Sequence, residues 1–103
     1  MKLCEGDNHL ISAKLGLAIC QVWTRPDLSA EQGARNARQM AEFLQNHVLQ
    51  PGTPYRGVIF DLRRGPPVFG PRTRETLAGF FAAAAKLEMG VAVLVSESPI
   101  QVL

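Results

Sequence analysis

Two apolar runs joined by one helical segment constrain this chain more than any other feature. Val58-Ile59-Phe60-Asp61-Leu62, the centre of a stretch beginning at Tyr55, and Val91-Ala92-Val93-Leu94-Val95 carry apolar residues without regular polar alternation. That is the pattern of strands buried in a parallel sheet. Between them Gly70-Pro71 opens a helix, since proline at the first helical position gives up no hydrogen bond. Leu77, Phe80, Phe81, Ala84, Ala85 and Leu87 give that helix a broad apolar face, and Gly90 is placed to stop it. Strand, helix and strand in this order form a βαβ unit, whose strands run parallel with a right-handed crossover. The strand through Phe60 is expected at the centre of the sheet, covered by helices on both faces, with Arg63-Arg64-Gly65-Pro66-Pro67 leaving it.

Upstream, Leu10 to Leu15 and Leu17 to Trp23 are short runs favouring strands on either side of Gly16, which predicts a β-hairpin. Thr24-Arg25-Pro26-Asp27 is turn chemistry. Ser29-Ala30-Glu31-Gln32 then has the form of a capping box, in which Ser29 and Gln32 each satisfy a backbone N–H of the other. From Ala30 to about Gln50, Ala34, Ala37, Met40, Ala41, Leu44 and Val48 recur at steps of three and four, while Glu31, Arg35, Arg38 and Glu42 form a solvated face. Pro51-Gly52-Thr53-Pro54 ends this helix. The expected fold is α/β: a mixed sheet with an N-terminal hairpin and a parallel βαβ unit, in the order β-β-α-β-α-β.

A chain of 103 residues is long enough for one modest core, and 47% apolar with 19% charged residues excludes a disordered chain. One domain over residues 1–103 is expected. Met1-Lys2-Leu3-Cys4-Glu5-Gly6-Asp7 turns acidic before any apolar stretch of a secretory signal develops, so a cytoplasmic location is expected. The most hydrophobic region, Leu77 to Val95, is interrupted by Lys86, Glu88 and Gly90 and reads as helix plus strand, with no membrane insertion. Cys4 and Cys20 lack metal-site spacing and are expected as reduced thiols.

Ser96-Glu97-Ser98-Pro99 has the form of a new helix start, yet only Ile100 to Leu103 follow. An apolar strand near a sheet edge with little chain after it is expected to be covered by a partner, which predicts a homodimer or an exchanged segment.

With an Asp closing the central strand and a helix beginning a few residues later, the pattern of Val58 to Gly90 followed by Val91 to Val95 resembles the STAS domains. These occur in anti-sigma-factor antagonists and at the cytoplasmic end of sulfate transporters. The resemblance covers roughly Leu10 to Pro99 and implies a C-terminally short STAS-like fold acting as a bacterial, non-enzymatic interaction module. Family members place a phosphorylatable serine at the start of the helix after the central strand. Here that stretch is Val68-Phe69-Gly70-Pro71-Arg72-Thr73, without serine, so phosphoregulation does not carry over and Thr73 is only a remote substitute. The family's last helix, strand and helix are also missing.

Eight of the eleven basic residues are arginines, and Arg63, Arg64, Arg72 and Arg74 fall close together where the central strand ends and the next helix begins. Open α/β sheets bind ligands at the carboxyl ends of their parallel strands, and guanidinium forks beside a helix N-terminus suit an anion. Nucleic acid is a weaker match, because a net charge of +2 and the lack of interleaved aromatics supply no phosphate track. Asp61 is a candidate phosphoacceptor or base, though an ion pair with a neighbouring arginine is the simpler role. His9 and His47 lack partners in sequence for a dyad or metal site. Trp23 fits the core, and Phe69, between Pro/Gly punctuations, is a candidate partner contact. No nucleophile elbow or phosphate-binding glycine signature occurs, so no catalytic residue, metal or cofactor is assigned.

The leading expectation is therefore an interaction or regulatory module, dimeric, using Arg63, Arg64, Phe69, Arg72, Thr73 and Arg74 as its recognition surface. The alternative is a small-anion or nucleotide-binding protein using the same arginine-rich loop.

Overall fold

The computed structural model describes residues 1–65 and 70–95. The expectations for Phe69 and its neighbours 66–68, and for the helix start at Ser96-Glu97-Ser98-Pro99, lie outside the described residues. Seven elements follow in the order β1 (Lys2–Glu5), β2 (His9–Lys14), β3 (Leu17–Trp23), α1 (Ala30–His47), β4 (Gly57–Arg64), α2 (Pro71–Lys86) and β5 (Gly90–Leu94). The strands form one mixed sheet in sequence order, antiparallel from β1 to β3 and parallel from β3 to β5. The chain is thus α/β, with β-β-β-α-β-α-β in place of the expected β-β-α-β-α-β. The additional strand is β1, too short and too charged at its ends to announce itself. It is recruited by the β2 edge, with Ala13 N–H donating to the Met1 carbonyl at 2.8 Å and a bulge between Lys2 and Cys4.

Local chemistry explains the remaining elements. Leu15 and Gly16 both have positive φ, 54° and 79°, and link Lys14 to its ladder partner Leu17. This two-residue turn has the twist that a hairpin requires. Ser29 caps α1 as anticipated: Gln32 N–H donates to Ser29 Oγ at 3.1 Å, and Ser29 N–H donates to Gln32 Oε1 at 2.8 Å. The six apolar positions read from the α1 periodicity are all buried, and Glu31, Arg35, Arg38 and Glu42 are all exposed.

Parallel strands β3 and β4 are joined by α1, and β4 and β5 by α2, so the chain contains two consecutive βαβ units where one was expected. Every buried apolar side chain of β2, β3 and β4 lies on one face of the sheet: Ile11, then Ala18, Cys20 and Val22, then Val58, Phe60 and Leu62. Met40 and Leu44 of α1 and Leu77, Phe80 and Ala84 of α2 belong to the same cluster. The Phe60 ring meets Phe80 and Phe81 edge to face, at centroid distances of 5.1 and 5.7 Å. Truncating either fully buried ring to Ala would cost about 3–5 kcal/mol.

Both helices therefore cover one face, and the expectation of helices on both faces of β4 is corrected. The physical reason is that β3, β4 and β5 are added in one direction, and crossovers of one hand then place every helix on the same side. On the opposite face Ile19 and Ile59 pair side by side and stay half-buried, while Ala92 and Leu94 are exposed.

Three boundaries also differ. Asp61 does not close β4, and Arg63 and Arg64 do not leave the sheet: the strand continues through Arg64, whose carbonyl accepts from Thr24 N–H at 2.9 Å. In α2, Leu77, Phe80 and Ala84 are buried, but Ala85 and Leu87 are exposed. Gly90 begins β5 instead of stopping α2. The reversal occurs at Glu88, which takes a left-handed φ of 55°, donates to Ala85 O and lets Met89 donate to Ala84 O, both at 3.1 Å. This is a Schellman ending with glutamate where glycine usually sits.

Candidate functional site

The antiparallel hairpin brings the start of β2 beside the end of β3, with His9 opposite Val22. Because α1 follows β3 and α2 follows β4, both helices begin at this same end of the sheet. Between them lies a cavity of about 290 Å³. His9, Val22 and Leu62 line it from the sheet, Gly33, Ala37 and Met40 from α1, and Gly70, Thr73 and Leu77 from α2. Trp23, Thr24, Arg25 and Leu28 complete it along the loop into α1, with Asn8 and Asn36 near His9. This is the crevice at the carboxyl ends of parallel strands where open α/β sheets take ligands.

Its lining is mainly apolar and includes no carboxylate among the described residues. The polar groups differ in how far their hydrogen bonding is satisfied. Asn36 is spent: its oxygen accepts from Asp7 N–H at 2.9 Å, and its amide donates to Gln32 O and the Asp7 carboxylate at 2.9 and 3.3 Å. Arg25 is tied to the Asp27 carboxylate and to Asp7 O. The first turn of α1 is closed by its capping box. The first turn of α2 is open: Gly70 supplies no side-chain cap and Pro71 no N–H, which leaves the Arg72 and Thr73 amides without helical partners.

His9 is the anomaly. It is 2% exposed, and neither ring nitrogen has a hydrogen-bond partner among the described residues. Burial pushes its pKa below the ordinary value, with Asp7 opposing the shift. The ring is therefore neutral near pH 7, with one donor and one acceptor to satisfy. Leaving such groups unpaired costs about 1–3 kcal/mol each. The Cε1–Nδ1 edge of the ring packs against Gly6, where a Cβ would lie 2.2 and 2.7 Å from these atoms.

Of the expected site residues that are described, Thr73 alone lines the cavity; its hydroxyl bonds to no other described residue. Asp61 and Arg63 instead face the open side of the sheet and neutralise each other. Arg63 Nε and Nη2 donate to the two Asp61 oxygens, each at 2.9 Å. That fork, helped by the Arg63 amide and outweighing burial, holds the Asp61 carboxyl below its ordinary pKa and raises that of Arg63. Arg64, Arg72 and Arg74 are exposed, Arg64 at the end of β4 and the other two on the first turn of α2. The arginine group is thus divided between an internal ion pair and an exposed rim.

Trp23, read as core, is half-buried at the cavity edge. His9 was the residue that sequence reasoning passed over. Its only signal was parity: it precedes Ile11 by two positions and so points to the buried face. Cys20, deep in the core, has its thiol pushed up to about 12 by burial, and Cys4 lies two strands away across Ile11. No group of three metal-ligating side chains occurs among the described residues. No described helix is long and apolar enough to cross a membrane. No family model, no curated protein and no solved structure matches this chain.

Proposed function

We propose that this chain is a non-enzymatic regulatory module that binds a small organic molecule in the crevice between the starts of α1 and α2. The observation that carries this reading is the mainly apolar cavity itself, placed between two helix starts at the carboxyl ends of the parallel strands. A volume of about 290 Å³ lies near the lower end of the range for small-molecule sites.

Trp23 is the sole tryptophan and lines the cavity, so its emission reports occupancy. Gly33 lines the cavity too, and a Cβ built there meets nothing within 4 Å. Gly33→Phe fills the site without crowding the helix. Titration with cyclohexanecarboxylate and cyclohexylmethanol, which do not absorb with tryptophan, is expected to shift Trp23 emission and raise Tm in the wild type but not in Gly33→Phe. Equal responses of the two proteins, or none in either, would overturn the reading.

The face of the sheet that neither helix covers favours a second reading, self-association with another copy of the chain. Leu10, Leu17, Ile19, Ile59 and Leu94 share that face, outside the core cluster, together with Ser12, Gln21 and the Asp61–Arg63 pair and with Lys2, Lys14 and Glu5 at its margin. Apolar side chains around Ile19 and Ile59 interleaved with polar and charged groups match the mixed composition of protein interfaces. Light scattering is expected to give a dimer mass for the wild type and a monomer mass for Ile59→Lys. A monomeric wild type at high micromolar concentration would exclude this association.

A further inference from the structure

His9 is held where only its neutral ring can be accommodated. Both nitrogens are sealed from solvent without a partner among the described residues, and one ring edge packs against Gly6 more closely than a Cβ there would permit. An imidazolium carries two N–H donors and a full charge, which this position would bury with neither an acceptor nor water. Gly6 belongs to the turn between β1 and β2. Gly6 N–H donates to His9 O at 2.9 Å and Trp23 N–H to Asn8 O at 3.1 Å, which ties the turn to the sheet. Its bonds to α1 run through the buried Asn36, which accepts from the Asp7 amide and donates to the Asp7 carboxylate.

Asp7 is the charged group whose attraction favours a protonated ring, and burial outweighs it. Nearby, Arg25 is paired with Asp27, and Lys2 and Glu5 of β1 pair with each other on the exposed side. From the sheet come Val22, Trp23 and the thiols of Cys4 and Cys20, and from α2 the uncharged Gly70, Thr73 and Leu77, while Arg72 and Arg74 are exposed. The charged side chains of α1, Glu31, Arg35, Arg38 and Glu42, stand on its solvated face. We infer that His9 is an acid-operated latch: protonating its ring releases the β1–β2 turn from Asn36 and opens the cavity wall that Asn8, His9 and Asn36 form, with the rest of the sheet still folded.

A released ring binds its proton at the ordinary histidine value of 6.5 and the latched ring only at lower pH, so opening takes up a proton. The latch is at full strength above 6.5 and weakens as pH falls, its opening constant rising by up to about tenfold per pH unit until the folded value is passed. Hydrogen exchange on the full chain from pH 7 to pH 5 reads this, expressed as protection factors so that the pH dependence of the exchange chemistry cancels. The Asp7 and Trp23 amides are expected to lose protection by on the order of tenfold. At pH 5 the Asp7 amide is expected to be at least about tenfold less protected than the Phe60 amide at the centre of β4. His9→Leu, or His9→Gln should leucine disturb β2, is expected to make Asp7 and Trp23 protection nearly independent of pH. Gly6→Ala, whose Cβ would overlap the ring, is expected to open the turn already at pH 7.

Titration of the ring is read directly by NMR of its carbon-bound protons in His47→Gln, which leaves His9 as the sole histidine. A ring that titrates at 6.5 or above overturns the latch. So does wild-type pH dependence in a folded His9 variant, since another group would then be the trigger. Equal protection of Asp7 and Phe60 at every pH would mean that the ring is protonated only on global unfolding, which overturns a local release. Wild-type protection in Gly6→Ala overturns the contact on which the latch depends. None of these measurements needs a ligand, so the latch stands or falls apart from the small-molecule reading.

Discussion

Replacing Glu88 by glycine is expected to stabilise the protein, although it removes a charged side chain and adds no contact. Glu88 holds the left-handed φ of 55° on which the end of α2 depends, and its amide and that of Met89 close the helix with 3.1 Å bonds to Ala85 O and Ala84 O. For an L-residue this conformation costs about 1–2 kcal/mol through the clash of Cβ with the carbonyl. Glycine avoids the clash but loses about 0.5–1 kcal/mol in chain entropy on folding. The side chain is exposed, so little else is forfeited. The net gain is about 0.5–1 kcal/mol, or about 2–8 °C in Tm for a domain of this size. Urea unfolding followed by far-ultraviolet circular dichroism measures it as a higher midpoint with unchanged slope. Glu88→Ala separates conformation from charge, because alanine keeps the Cβ and is expected to gain almost nothing. If alanine stabilises as much as glycine, or glycine not at all, the strain at this position is refuted.

The hairpin turn offers the same test in another element: Leu15, 79% exposed at φ 54° before Gly16, is expected to gain about 0.5–1 kcal/mol as Leu15→Asn, read by the same unfolding curves. Gly57→Ala is expected to destabilise by about 1–3 kcal/mol, because its Cβ would lie 2.9 Å from the Gly90 carbonyl oxygen across the β4–β5 ladder. Gly90→Ala, with nothing within 4 Å, is expected to be tolerated, and equal costs for the pair would contradict the packing described. Asp61, its folded pKa depressed by Arg63, contributes stability present above its unfolded value of 3.8 and lost as pH falls through the lower folded value. Asp61→Asn should therefore be less stable than wild type at pH 7, with the gap narrowing below about pH 4 in acid titration; a gap independent of pH would refute the ion pair as its source.

The helices and most strands were legible because their signals are local. The spacing of Ala34, Ala37, Met40, Ala41, Leu44 and Val48 states which side of α1 is buried, and Ser29 with Gln32 states where it starts. The runs around Phe60 and Val93 identify two strands and, with α2 between them, their parallel pairing. Such features depend on residues a few positions apart, so backbone sterics and side-chain periodicity determine them before any tertiary contact forms. By contrast, β1 is a strand only because the β2 edge lies beside it, and Glu88 adopts a glycine conformation only because α2 must turn there to reach β5.

The site belongs to this second class. Arginines adjacent in sequence diverge in space: Arg63 pairs with Asp61 on the open face, while Arg72 and Arg74 begin a helix on the other. His9, with nothing around it in sequence to mark it, is brought by the hairpin to the same sheet end as the start of α2, which begins more than sixty positions later. The sequence by itself determined which residues share a face of each element. Only the tertiary structure decided which faces are covered and which element ends border one cavity, because strand order and crossover direction are properties of the assembled sheet and of no segment within it.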